Sequence, residues 1–328
     1  MITRDEFKEF KNKFKENKIP KIGDLLRKSR YYLINVHPIG QYSDTKMSER
    51  IVNIGGIEGE MEDFIRKNKK IHKTKQDVPE SSNRQLSGDF PRNKEEEDWI
   101  YEADCVILFS MSTEIYFTGF TDAHYFTLQE TFTNFDCKYI IKVTDSFSPI
   151  KQLKPGEHFY ENDRTIIFYN GMIREQEILE KAQVKLFVTD GGQNTFNEIL
   201  KAGVPMIIIP FFGDQPFNAT LAEYLGIGLS IKPRDFVNEF KETVDKIMGY
   251  NSYQENAQKI AKAIKEAKYG QIDIFLDIVK KAIEEEVEEE SRFPEMPLNV
   301  TTEYLKLDEL DTIVGKFLKS ISSSKIKF

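Results

Sequence analysis

The chain has 328 residues, with 46 basic against 54 acidic side chains and a formal net charge of −8. A hydrophobic content of 40% supports a real core and excludes global disorder, and the acidic balance argues against a general nucleic-acid binder. The longest apolar run, residues 204–212, falls well short of the roughly 18 residues that a membrane span needs.

Phe7, Phe10 and Phe14 recur at helical spacing in the first twenty residues, and Pro20 ends that helix. Residues 1–30 hold ten basic and five acidic side chains. This locally positive stretch reads as a solvated helix face, with a membrane-surface role as the alternative. It lacks the apolar region of a signal peptide, which points to a reducing, cytoplasmic compartment. Short apolar stretches follow at 31–35 and 51–54. Residues 67–97 are dominated by lysine, serine, asparagine, glutamate and proline, and read as an exposed loop or disordered insert.

From residue 102 a regular alternation begins. Strand candidates are 105–110, 138–144, 165–169, 185–189, 206–210 and 228–231, mostly short runs rich in Val, Ile and Phe. Helix-period stretches lie between or after them, at 122–135, 174–182, 194–202, 218–225, 235–248 and 253–267. A long helix runs from about 271 into the acidic run 284–290. This rhythm predicts an α/β fold: a Rossmann-like parallel sheet with helices on both faces. The organisation predicted is 1–66 as an N-terminal helix and lead-in, 67–98 as a polar insert, 99–270 as the sheet domain, and 271–328 as C-terminal helices and tail.

Ligands of such sheets bind outside the carboxyl ends of the strands. Two strand ends are unusual. Thr189-Asp190-Gly191-Gly192-Gln193-Asn194-Thr195 places paired glycines before a helix, which suits a phosphate on free N–H groups or, more plainly, a tight turn capped by Asp190. Pro210-Phe211-Phe212-Gly213-Asp214-Gln215-Pro216-Phe217-Asn218 offers an acid and two amides to sugar hydroxyls, or simply starts a helix. Cys105 and Cys137 are expected to be buried, inert thiols, too few for a disulfide framework. The Asn218-Ala219-Thr220 and Asn299-Val300-Thr301 sequons are not expected to be used.

Together, in order and spacing, the two loops resemble the donor-binding signature of the UDP-glycosyltransferases, which include the UDP-glucuronosyltransferases. Gly191, Gly192, Glu198, Gly203, Pro205, Asp214, Gln215 and Asn218 hold the places of that signature. The stretches LLRKSRYYLINVHP, IVNIGGI and VILFSMST extend the likeness outward.

The resemblance implies the C-terminal, nucleotide-sugar-binding half of a GT-B glycosyltransferase. It implies transfer of glucuronic acid or glucose from a UDP-sugar to a hydroxyl of a small lipophilic acceptor, with inversion and without a metal or other cofactor. Donor-binding residues carried over are Thr113, Met172, Glu175, Asp190, Gly191, Gly192, Asn194, Glu198, Asp214 and Gln215. Glu198 would take the ribose hydroxyls, Asp214 and Gln215 the transferred sugar, and Thr113 with the glycine loop the diphosphate.

The departures define the alternatives. The family's acceptor half and catalytic histidine have no counterpart in His37, His72, His124 or His158, so no catalytic residue is assigned. Asp190 replaces a phosphate-binding histidine, Met172 a base-stacking tryptophan and Glu175 a glutamine. A carboxylate about 4 Å from a phosphate costs on the order of 4 kcal/mol at an effective dielectric near 20. Three readings follow: a fragment of a longer, ER-membrane enzyme, a donor subunit needing a partner chain for the acceptor half, or a non-catalytic binding protein.

Overall fold

The computed structural model describes residues 29–43, 47–61, 89–111, 121–143, 158–161 and 165–292. The expected N-terminal helix, most of the polar insert, Thr113, His72, the Asn299 sequon and the tail from 293 lie outside the described residues.

A small parallel pair comes first, β1 (Tyr32–Ile34) beside β2 (Ile51–Asn53). The main body is a seven-stranded sheet. Its strands are β3 (Val106–Phe109), β4 (Lys138–Val143), β5 (His158–Glu161), β6 (Ile166–Asn170), β7 (Val184–Thr189), β8 (Met206–Ile208) and β9 (Gly228–Ser230). The spatial order is β5-β6-β4-β3-β7-β8-β9, parallel throughout except for the antiparallel edge strand β5. The helices are α1 (Lys94–Tyr101), α2 (Asp122–Phe132), α3 (Glu175–Lys181), α4 (Gln193–Ala202), α5 (Gln215–Tyr224), α6 (Phe236–Gly249), α7 (Asn251–Lys265) and α8 (Gln271–Arg292).

Strand periodicity sorts the core into two layers. Ile107 and Phe109 of β3, with Ile141 of β4 and Val188 of β7, meet Leu128 and Phe132 of α2 and Phe236 and Phe240 of α6. Val106 and Leu108 of β3, with Ile140 and Phe187, meet α1, α3, α4, α5 and α7 through residues such as Ile100, Ile178, Phe196 and Leu221. Both faces of the sheet are therefore covered, which is why its strands read as continuous apolar runs. Helix α4 stops at Gly203, whose φ of +69° is left-handed and whose absent Cβ leaves room for the Ala261 methyl.

The expected strands and helices are present, most with ends shifted by one to three residues. Two elements were not expected. Strand β5 is short, sits at an edge and lacks the Val/Ile signal. Helix α1 reaches into the stretch read as polar insert, so the boundary drawn at residue 98 is corrected. Asn93 accepts from the Glu96 backbone N–H at 2.9 Å, and the Glu96 carboxylate turns back onto the Arg92 N–H at 2.6 Å. The three glutamates of Lys94-Glu95-Glu96-Glu97 thus start a capped helix rather than a solvated loop. Ahead of it, Phe90 is fully buried against Tyr169, and its backbone pairs with the loop after β6.

The cysteines also differ from expectation. Cys105 and Cys137 form a disulfide. Each directly precedes a strand, and the β3–β4 register sets Val106 beside Lys138, so the two sulfurs face each other across neighbouring strands. Register is a tertiary fact that two isolated cysteines do not announce.

Phe90 makes a test of how firmly the end of the polar stretch is built into the core. Phe90→Ala is expected to lower stability by about 3–5 kcal/mol, the range for truncating a buried phenylalanine. Urea denaturation of the purified variant beside the parent checks this.

Candidate functional site

The chain builds β3, then β4 and β6 outward on one side, and returns to the other side of β3 to lay down β7. The strand order reverses between β3 and β7. In an open parallel sheet the loops that leave the two strands there diverge and open a crevice. Ser110 follows β3, and Asp190-Gly191-Gly192 follow β7.

Gly191 makes the turn into α4. Its φ is +82°, and a Cβ there would lie 2.6 Å from the Ile208 side chain, so glycine is required on both counts. Gly192 caps α4, whose first N–H groups point out of the helix end. Asp214 takes one of them: its Oδ2 accepts from Gln193 N at 3.2 Å.

Asp190 is 1% exposed. Its carboxylate accepts from the Gln215 amide at 2.5 Å and lies near the Thr189 hydroxyl. The other end of Gln215, Oε1, accepts from the backbone N–H groups of Phe211 and Phe212 at 2.8 and 3.0 Å. Asn218, also buried, donates to the Gly191 carbonyl at 2.9 Å. The two loops are thus sewn together by their own side chains. The carboxylate expected to repel a phosphate is instead a buried tie, and Gln215, expected on the sugar, is only 3% exposed with both amide ends engaged. The buried Asn218 side chain also leaves its sequon inaccessible in the folded chain.

Glu198 stands one turn into α4, and its Oε1 accepts from Gln176 Nε2 of α3 at 2.8 Å. Both line a cleft of about 280 Å³ between α3, α4 and the 29–61 segment, together with Asn35, Asn194 and Asn197. Asn35 donates to the Asn194 side-chain oxygen Oδ1 and accepts from the Asn197 side-chain amide at 3.0 Å, so it pins the lead-in segment onto α4. At the other end of that segment, Glu60 accepts from Ile272 N at the start of α8, at 3.0 Å.

Met172 is 56% exposed, while its backbone carbonyl accepts from Phe90 N at 2.9 Å. The loop that carries it is therefore held from beneath by the end of the polar stretch. Glu175 begins α3; its Oε1 accepts from the Ser110 hydroxyl at 2.5 Å and lies 3.8 Å from the Lys142 ammonium. Among the expected donor residues, the structure gathers Glu175, Asp190, Gly191, Gly192, Asn194, Glu198, Asp214 and Gln215 around the carboxyl ends of the strands. Sequence reasoning missed Asn35, Gln176, Asn197 and Lys142. The only signal for Gln176 and Asn197 was their position beside Glu175 and Glu198.

The family model for "UDP-glucoronosyl and UDP-glucosyl transferase" matches residues 154–273. An uncharacterized UDP-glucosyltransferase of Bacillus subtilis is 33% identical over 132 residues, covering 39% of this chain and 32% of that protein. UDP-glucuronosyltransferase 3A1 of Mus musculus is 40% identical over 74 residues, covering 21% of this chain and 14% of the relative. Over residues 154–273 the chain is similar to the UDP-glycosyltransferase family. The matched stretch spans about a third or less of the length of these relatives. Among solved structures, the glycotransferase of kitacinnamycin aligns over 84% of this chain and 61% of its own, with a TM-score of 0.54 at 20% identity. That likeness is one of fold: a parallel sheet with helices on both sides, as in the C-terminal half of a GT-B glycosyltransferase. Among the described residues, no helix is long and apolar enough to cross a membrane.

The three described histidines play local parts. His124 caps α2, where its Nδ1 accepts from Thr121 N at 3.2 Å, and His158 lies beside the Arg92 guanidinium. His37 is buried, with Nδ1 accepting from Ile39 N at 3.2 Å. Burial pushes its pKa below the usual histidine value, against a smaller upward pull from Glu60. The folded state therefore resists protonation more than the unfolded chain, whose histidines take up protons near pH 6.5. This stability is present above that pH and is lost as the pH falls. The melting temperature is expected to drop between about pH 7.5 and 5.5, less steeply in His37→Gln. A pH series of thermal melts checks it. Independently, Asp190→Asn leaves two amide groups facing each other and is expected to cost about 1–3 kcal/mol. Chemical denaturation of that variant reads the loop tie directly.

Proposed function

We propose that this chain binds a UDP-sugar and forms the donor half of a glycosyltransferase that passes glucose or glucuronic acid to a hydroxyl of a small lipophilic acceptor. The observation that carries the reading is the position of Glu198: on the helix that follows the glycine loop, lining a cleft between α3, α4 and the lead-in segment, within the family-matched segment. A carboxylate is acceptor-only and can take both hydroxyls of a vicinal diol, which suits ribose. The α4 N-terminus suits the diphosphate, through its outward N–H groups and the positive end of the helix dipole. The exposed Met172 side chain can lie against the base. Asp214, at the same helix end, can accept from a sugar hydroxyl.

In the reaction so read, an acceptor oxygen bonds to the anomeric carbon as the bond from that carbon to the diphosphate breaks. The acceptor proton passes to a base, and the charge on the departing UDP is met by the α4 N-terminus, so no metal is asked for. The base and the acceptor pocket belong to the acceptor half, supplied by a longer chain or by a partner chain.

A second reading, a non-catalytic binding or interaction protein, is favoured by one observation. Gln215 is committed to Asp190 and to two backbone groups, not presented to a sugar.

Calorimetric titration with UDP, UDP-glucose and uridine tests the donor site. Binding of UDP is expected, and Glu198→Gln is expected to weaken it about 5- to 30-fold, the loss of one charge-assisted hydrogen bond being on the order of 1–2 kcal/mol. Uridine, which shares the ribose, is expected to lose affinity by the same factor. Absence of UDP binding would remove the donor reading in favour of the second.

A further inference from the structure

The disulfide lies at the far end of the sheet from the ligand loops. Cys105 directly precedes β3 and Cys137 directly precedes β4. Ser110 leaves the opposite end of β3, roughly 16 Å away along an extended strand. The bond closes the β3–α2–β4 crossover into a loop, across a sequence separation of 32. Lys138 N donates to the Cys105 carbonyl at 2.9 Å, so the two backbones are already paired at that level. The two cysteines are not equally placed. Cys137 is 7% exposed and belongs to the core layer that holds Phe132, Tyr139 and Ile141. Cys105 is only partly buried and packs against that layer.

We propose that this pair is a thiol–disulfide switch with divided roles: Cys105 is the sulfur that exchanges with small thiols, and Cys137 is the buried sulfur that recloses the bond. The physical reason is access. An incoming thiolate must reach the sulfur it attacks, and rates of exchange follow which sulfur is open. The core closes that approach to Cys137 and leaves it to Cys105. The thiolate forms a new S–S bond at Cys105 as the old bond breaks, and the bonding pair leaves on Cys137, which takes up a proton. With a dithiol, the second thiolate of the reagent attacks the reagent's own bonded sulfur and releases Cys105. The reagent is then oxidised by two electrons to its disulfide, and the protein disulfide is reduced to two thiols. A monothiol has no second group. Cys137, held beside Cys105 by strand register, attacks the Cys105 sulfur instead and expels the monothiol. A small oxidised disulfide runs the switch the other way, taking two electrons and two protons as the pair closes. Opening removes the covalent closure of the crossover, while the apolar contacts of α2 with the sheet stay in place. The open chain is therefore folded but less stable. The switch stands independently of the nucleotide-sugar reading.

Thermal melts of the full chain with and without dithiothreitol, together with mass-mapped alkylation, test this. After treatment with oxidised glutathione the chain is expected to show no free thiol and no retained glutathione. The reduced chain is expected to keep its circular dichroism and to melt about 5 °C or more lower. These arms use the parent chain and need no variant. Cys137→Ala, treated with oxidised glutathione, is expected to collect an adduct on Cys105. Cys105→Ala is expected to label Cys137 about tenfold less or slower under the same conditions. Two free thiols persisting in the parent after oxidised glutathione would overturn the proposal, as would a melting temperature indifferent to dithiothreitol. Equal labelling of the two single variants would overturn the division of roles.

Discussion

The site exists because the chain crosses back over its own central strand. Having built β4 and β6 on one side of β3, it places β7 on the other, and such a reversal of strand order is where an open parallel sheet forms its crevice. Ser110, the glycine turn and the α4 N-terminus collect at that divergence. Helices α3 and α4 then lie on the same face of the sheet, which brings Gln176 and Glu198 within hydrogen-bonding distance. No part of this geometry is local. It follows from burying both faces of a parallel sheet whose crossovers keep one hand.

Within that frame, Gln215, with Asn218 and Asp214, joins the two signature loops. The Gln215 amide satisfies the buried Asp190 carboxylate with its nitrogen and two backbone N–H groups with its oxygen. A buried carboxylate without such a partner would be costly, and so would a buried pair of orphaned N–H groups. Aspartate is thus well accommodated where the family's pattern has histidine. Its charge has been turned into a tie between β7 and α5 and is not left to face a ligand. The same tie commits Gln215, so loop order and ligand contact compete for one residue.

The lead-in segment and the end of the polar stretch shape the site from outside the sheet. Asn35 fastens the first to α4, while Glu60 meets the start of α8. Phe90 anchors the second beneath the Met172 loop. Each anchor pairs a backbone or amide group with a partner distant in sequence.

By itself, the sequence determined the layered α/β fold, the strand–helix order and the two unusual loops that follow β7 and β8. Those features are carried by short apolar runs, helical periodicity and glycines placed beside a helix start, all of which are local signals. The resemblance added the family and a set of donor residues. What only the tertiary structure decided was which of those residues are available. Asp190 and Gln215 look like ligand groups in the chain and are buried partners in the fold. Phe90 and Glu96 look like members of a polar stretch and are core and cap. Cys105 and Cys137 look like separate thiols and are joined by strand register. In every case the deciding contact is made by residues distant in sequence, or by a side chain turned inward against its local composition. Neither kind of contact leaves a periodic trace for a reader of the sequence.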